Sequence, residues 1–281
     1  MKIDENDSEE VNYVSKTLSK LESKWKMKSL PASISSLYKK NIGKNRIGYI
    51  VATCFPITND HLVRAQQAAN DLDLDAVFFI IMPFHYVRGF HSKTLNGWLE
   101  KQHLLQWEYR VDLLSKAIHD LQDTRMHVLS ESKCWYEESD NFVDSGHLSA
   151  FWTGTWYVIK KFQWNVRRYL NSEAEFTFVC NMNQFNPSIN SLVTSGNIVK
   201  VRNYYSIAQQ LAIHNVYVTP RKIDEIELFK EITMPLGCKN KVIIGKSIKK
   251  ECFCTTNIRY HQLNVRNNIQ HCVEQRIAMT I

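Results

Sequence analysis

From residue 47 onward the chain alternates short, compact, mostly apolar runs with longer stretches in which apolar positions recur every three or four residues. The runs cover 47–54, 76–82, 126–129, 176–180, 215–219 and 242–244. A strand that is apolar at successive positions is buried on both faces. Helix-length spacers between such strands predict a parallel sheet covered above and below. Between the first two runs, Leu62, Ala65, Ala68, Ala69 and Leu72 share one helical face, so this stretch reads strand, helix, strand. Farther on, Leu148, Phe151, Trp152, Thr155, Trp156, Ile159 and Phe162 form a second stripe. Such an aromatic stripe can suggest a nucleotide cradle, but helical spacing is the mark of core, and we read it as core. The expected architecture is α/β: a doubly wound parallel sheet in a single main domain over 47–281.

Ahead of that domain, Val11, Val14, Leu18, Leu21 and Trp25 recur in alternating steps of three and four, with Lys16, Lys20, Lys24 and Lys26 among them, until Pro31. Residues 1–46 are therefore expected to form a basic helical extension. Its helix reads either as packed on its own domain, the reading we favour, or as a surface for a homo-oligomer or an anionic membrane. Charge sharpens this division. Residues 11–46 hold nine Lys/Arg and one acid, whereas the whole chain carries a net +7. The remainder is close to neutral, which argues against a nucleic-acid-binding face on the main body but leaves room for a small phosphate-bearing ligand. The longest clear run of large apolar residues, 77–82, is strand-sized, so no transmembrane segment is expected. The acidic start, MKIDENDSEE, has no signal-peptide core, and seven cysteines without a C-x-x-C pair fit free thiols. A cytoplasmic location is the expectation. Cys252-x-Cys254 lacks the second ligand pair a zinc site needs, so no protein-held metal is expected.

The candidate chemistry begins where the first run gives way to the first helix. In an open parallel sheet, ligands bind at such carboxyl ends of strands. There the chain reads Ala52-Thr53-Cys54-Phe55-Pro56-Ile57-Thr58-Asn59-Asp60-His61-Leu62. Thr58, Asn59 or Asp60 can cap the helix, whose free N–H groups and positive dipole end favour a phosphate. His61, in the first turn, can donate a hydrogen bond to a phosphate oxygen as charge builds. This string resembles the signature of nicotinamide mononucleotide adenylyltransferases, whose eukaryotic type reads Gly-Ser-Phe-Asn-Pro-Ile-Thr-Asn-x-His-Leu. Near the other end, Thr255-Thr256-Asn257-Ile258-Arg259 is similar to the family's Ser-Ser/Thr-x-x-Ile-Arg element. Hydroxyls at a helix start can meet phosphate oxygens there, with an arginine one turn on.

The resemblance covers residue 47 to the end and implies a Rossmann-like nucleotidylyltransferase. It assigns His61, Arg259 and Thr58 to the reacting phosphates, and Thr53, Cys54, Thr255, Thr256 and Asn183 to ATP. It further assigns Arg110, in a helix similar to the family's Arg-x-x-Met/Leu helix, and Arg88 and Lys93, in the loop after Pro83, to the mononucleotide. Trp135, ahead of Tyr136 and Glu137, resembles a family tryptophan that stacks on the nicotinamide ring. The implied reaction joins ATP and nicotinamide or nicotinate mononucleotide into NAD or its acid form, with Mg2+ carried on the triphosphate. Ala52, Cys54, Asn183 and Asn257 depart from the family's residues on the ligand side. Ala52, Asn183 and Asn257 motivate an alternative, a catalytically impaired nucleotide-binding or regulatory protein on the same fold. A sister transferase with another phosphate acceptor is a third expectation.

Overall fold

The computed structural model describes residues 22, 25, 31–38, 46–54, 57–83, 106–140, 150–170, 172–181, 184, 214–220 and 241–247. Among them, β1 (Arg46–Ala52), β2 (Ala76–Ile81), β3 (Met126–Val128), β4 (Glu175–Asn181), β5 (Asn215–Thr219) and β6 (Val242–Ile244) form one sheet. Every neighbouring pair is parallel, and the strand order is β3-β2-β1-β4-β5-β6. The chain therefore builds outward from β1 through β2 to β3, then returns to the other side of β1 to lay down β4. That reversal creates a switch point between the carboxyl ends of β1 and β4, where open α/β sheets receive ligands. The architecture is a Rossmann-like α/β sheet, as the alternation of runs and helical stripes predicts.

Five described helices cover the sheet: α1 (Ala32–Tyr38), α2 (Asn59–Asp71), α3 (Trp107–Leu121), α4 (Ser132–Asp140) and α5 (Ala150–Tyr169). Strand alternation divides the core in two. Tyr49, Val51, Phe78 and Ile80 face a layer made with α1, α4 and α5, including Ile34, Leu37, Trp135, Ile159 and Phe162. Ile50, Ala52, Val77, Phe79 and Ile81 face α2 and α3 through Leu62, Ala65, Ala68, Ala69, Leu114 and Ala117. The α2 stripe read from periodicity is thus the buried one, with Leu72 partly buried at its end. Of the second stripe, Thr155, Trp156, Ile159 and Phe162 are buried; Leu148 and the side chains of Phe151 and Trp152 lie outside what is described. The turn after α2 packs closely on β1, since a Cβ on Gly48 would stand 2.7 Å from Leu74 Cδ1.

Within the expected N-terminal extension, two described parts pack on the main body. Trp25 lies edge-on to Tyr157 of α5, with ring centroids 5.5 Å apart, and its Nε1 donates to the Tyr157 hydroxyl at 3.1 Å. Pro31 opens a helix here rather than only closing one, because its carbonyl accepts from the N–H groups of Ile34 and Ser35. Proline suits that position, where no N–H is required. No helix among the described residues is long and apolar enough to cross a membrane.

Candidate functional site at the carboxyl edge of the sheet

The junction from β1 to α2 is organised by a side chain three residues into the helix. Thr58 is the N-cap, extended at φ −133° and ψ 159°. The His61 ring closes back on it: the Thr58 hydroxyl lies 2.8 Å from Nδ1, and the Thr58 backbone N–H donates to the same nitrogen at 3.3 Å. Histidine here takes the place that Glu or Gln fills in a capping box. A backbone N–H can only donate, so Nδ1 is the acceptor and a neutral ring carries its proton on Nε2. One local contact thereby fixes both the orientation and the tautomer of the imidazole. Thr58 and His61 are each 8 % exposed, so His61 is no loose surface residue.

Beside it, Asp60 and Arg64 form a buried ion pair one turn apart on α2. Sequence reading singled out neither as a pair. The signal was an acid and a base at i and i+4 in the first turns of the first helix.

Arg110 of α3 ties this junction to the next strand. Its Nη1 donates to the carbonyl of Thr53 at 2.5 Å and to that of Met82 at 2.7 Å, so one guanidinium bridges the residues just past β1 and β2. It is 1 % exposed, and its Nε and Nη2 have no hydrogen-bond partner among the described residues. Burial draws its pKa down to about 10, which leaves it cationic at neutral pH. Cys54, next to the bridged carbonyl, adopts φ 48°, a left-handed conformation that few side chains other than glycine take without strain. Burial pushes its thiol up to about 12, against the opposing pull of Arg110, so Cys54 stays a neutral thiol.

The structure thus brings together Thr53, Cys54, Thr58, His61 and Arg110 around the β1–α2 junction. It places Trp135 apart from them, on the other face of the sheet. Ser132, at the start of α4, donates to the carbonyl of Ile81 at 3.2 Å, which sets this helix at the carboxyl end of β2. Trp135 is 4 % exposed, and the Lys161 ammonium stands 5.6 Å from its ring centroid. Lys161 itself pairs with Glu138. Arg259, Thr255, Thr256, Asn183, Arg88 and Lys93 lie outside the described residues. A shallow hollow of about 190 Å³ lies between Ile57, Thr58, Asn59 and Leu62 and the Ala117, Asp120 and Leu121 end of α3. Its carboxylate gives it the wrong charge for a phosphate. Among the described residues, no three His, Cys, Asp or Glu side chains stand together as a metal site.

Fold and edge together define a Rossmann-like α/β protein whose switch-point junction carries a histidine-closed helix start and a buried arginine. No family model matches the chain, and no curated protein is significantly similar to it.

Proposed function

We propose that the chain is an adenylyltransferase that joins ATP to nicotinamide or nicotinate mononucleotide, forming the dinucleotide and pyrophosphate. The observation that carries this reading is the Thr58–His61 closure at the β1–α2 junction, with the Arg110 cation bridging the strand ends next to it. In the reaction an oxygen of the mononucleotide phosphate attacks the α-phosphorus of ATP in line. The new P–O bond forms as the bond to pyrophosphate breaks, and no protein nucleophile is required. His61 acts from Nε2–H, donating to a phosphate oxygen as negative charge accumulates. Thr58 and the start of α2 orient the phosphates, and Arg110 supplies fixed positive potential from beneath the loop. Arg259, Thr255, Thr256 and Asn183 join the ATP side of this reading through their sequence pattern, as Arg88 and Lys93 join the mononucleotide side. Mg2+ arrives on the triphosphate and neutralises part of its charge.

A second reading, a nucleotide binder without turnover, is favoured by one observation. Ala52 is buried at the end of β1, where the family has a glycine that lets backbone approach phosphate. Incubation with ATP, Mg2+ and each mononucleotide, followed by detection of dinucleotide and pyrophosphate, tests the first reading. Calorimetric binding of ATP without pyrophosphate release selects the second, and neither binding nor product rejects both.

A further inference from the structure

The sheet opens at the carboxyl end of the β1–β4 pair. Backbone pairing runs from Arg46↔Glu175 to Tyr49↔Phe178 and stops there, although β1 continues to Ala52 and β4 to Asn181. On their outer sides both strands stay paired to the end: Ala52 with Ile81 of β2 and Asn181 with Thr219 of β5. The splayed ends therefore leave inward-facing N–H and C=O groups of two central strands without backbone partners. Each such group is costly if it stays buried and unmet.

Gln184 meets them. Its Nε2 donates to the Val51 carbonyl at 3.0 Å, and its Oε1 accepts from the Asn181 backbone N–H at 3.3 Å. Its own backbone N–H donates to Asn181 Oδ1 at 2.9 Å. One carboxamide bridges the crevice because it presents a donor and an acceptor side by side. The groups it satisfies belong to strands held from outside, with Val51 only 4 % and Asn181 9 % exposed. Gln184 itself is half-buried and lies three residues beyond the strand. A fixed donor–acceptor pair is thus met by a side chain rather than by a neighbouring strand.

We propose that Gln184 is a built-in plug of the switch-point crevice, displaced by a ligand that carries a planar edge with an N–H donor next to an acceptor. The amino-pyrimidine edge of adenine and the carboxamide of a nicotinamide ring share that chemistry. Such an edge donates to the Val51 carbonyl and accepts from the Asn181 N–H, so both backbone groups stay satisfied whether the plug is in or out. A carboxylate in the same place has no donor and sets its lone pairs against the Val51 carbonyl, which makes the crevice selective for the amide. The choice of these ligands rests on the proposed function; the crevice and its plug rest on the strand geometry.

The experiment is calorimetry on the full chain and on Gln184→Ala with four probes: adenosine and nicotinamide, and purine riboside and nicotinate, which lack the donor. Removing the plug removes the competitor and leaves the backbone pair unmet in the free protein. Adenosine or nicotinamide, whichever the crevice takes, is expected to bind about tenfold more tightly, with purine riboside and nicotinate unchanged. Gln184→Glu keeps the size and the acceptor but cannot donate to Val51, and a smaller tightening is expected; it serves as the test should the alanine variant unfold. Equal or weaker binding of both amide-edged probes in the folded variants overturns the proposal, as does the absence of binding by every probe. Dinucleotide formation is not read, so a failure of the transferase reading leaves this outcome distinct.

Discussion

The carboxyl edge of the sheet and the layer beneath α5 both bury polar side chains, and they treat charge in opposite ways. Beneath α5, Tyr49 and His214 meet at 2.6 Å, with Trp156 stacked 6.0 Å from the imidazole. Burial pulls the His214 pKa down to about 3, with nearby Lys160 acting in the same direction. Burial likewise pushes the Tyr49 hydroxyl well above its ordinary value. The hydroxyl therefore donates, the neutral ring accepts, and the pair carries no charge. At the edge, Asp60 and Arg64 face each other as ions, and Arg110 keeps its cation against two carbonyls. A neutral hydrogen-bonded pair is cheap to bury, whereas a buried ion costs several kcal/mol unless its partners are well placed. The molecule carries that cost at the strand ends, where the phosphate of the proposed function would give the charge something to act on.

The sharpest way to break this contrast is to unbalance the edge. Asp60→Asn leaves Arg64 buried without its counter-charge, and urea unfolding is expected to show a loss of about 3–5 kcal/mol. Adding Arg64→Met should recover most of it; a single variant as stable as wild type would mean that the pair is screened like a surface one. Next in size is His61→Ala, expected to lower kcat for dinucleotide formation by about 10²–10³-fold. The accompanying loss of stability should be only about 1 kcal/mol, from the broken cap. Undiminished turnover in that variant removes the imidazole from the mechanism.

The neutral pair makes a prediction about pH. His214 has a folded pKa near 3 against an ordinary 6.5, so below pH 6.5 the unfolded chain takes up a proton that the folded one refuses. Its stabilising contribution is complete above that pH. It declines by about 1.4 kcal/mol per pH unit as pH falls toward 3. Denaturation midpoints followed from pH 7 to 4 should show a shallower decline in His214→Asn, and parallel curves would show that the ring is not what titrates. The smallest expected effect is that of Thr58→Ala, about 1 kcal/mol. Restoration by Thr58→Ser would assign it to the hydroxyl on Nδ1.

The fold was largely legible because its signal is short-range. The runs at 215–219 and 242–244 coincide with β5 and β6, and the other four differ from the observed strands by a residue or two at their ends. The α2 face was readable for the same reason, since burial repeats every three or four residues along one helix. The candidate site divides along the same line. Thr58 and His61 lie three residues apart, so their relation could be anticipated from a helix start. Arg110 entered through a resemblance, and nothing near it in the sequence announces the carbonyl 57 residues away that it holds.

Two features had no sequence signal at all. Gln184 reaches Val51 across 133 residues, and Tyr49 reaches His214 across 165. Apolar periodicity and helix-start chemistry act over a few residues, so composition and order alone specify strands, helix faces and the closure of α2. Which strand lies beside β1, where their pairing stops, and which side chain fills the resulting gap depend on the packed sheet. Hydrogen bonds between remote parts of a chain are decided only when the core brings those parts together, and the pattern of residues along either part carries no record of the other.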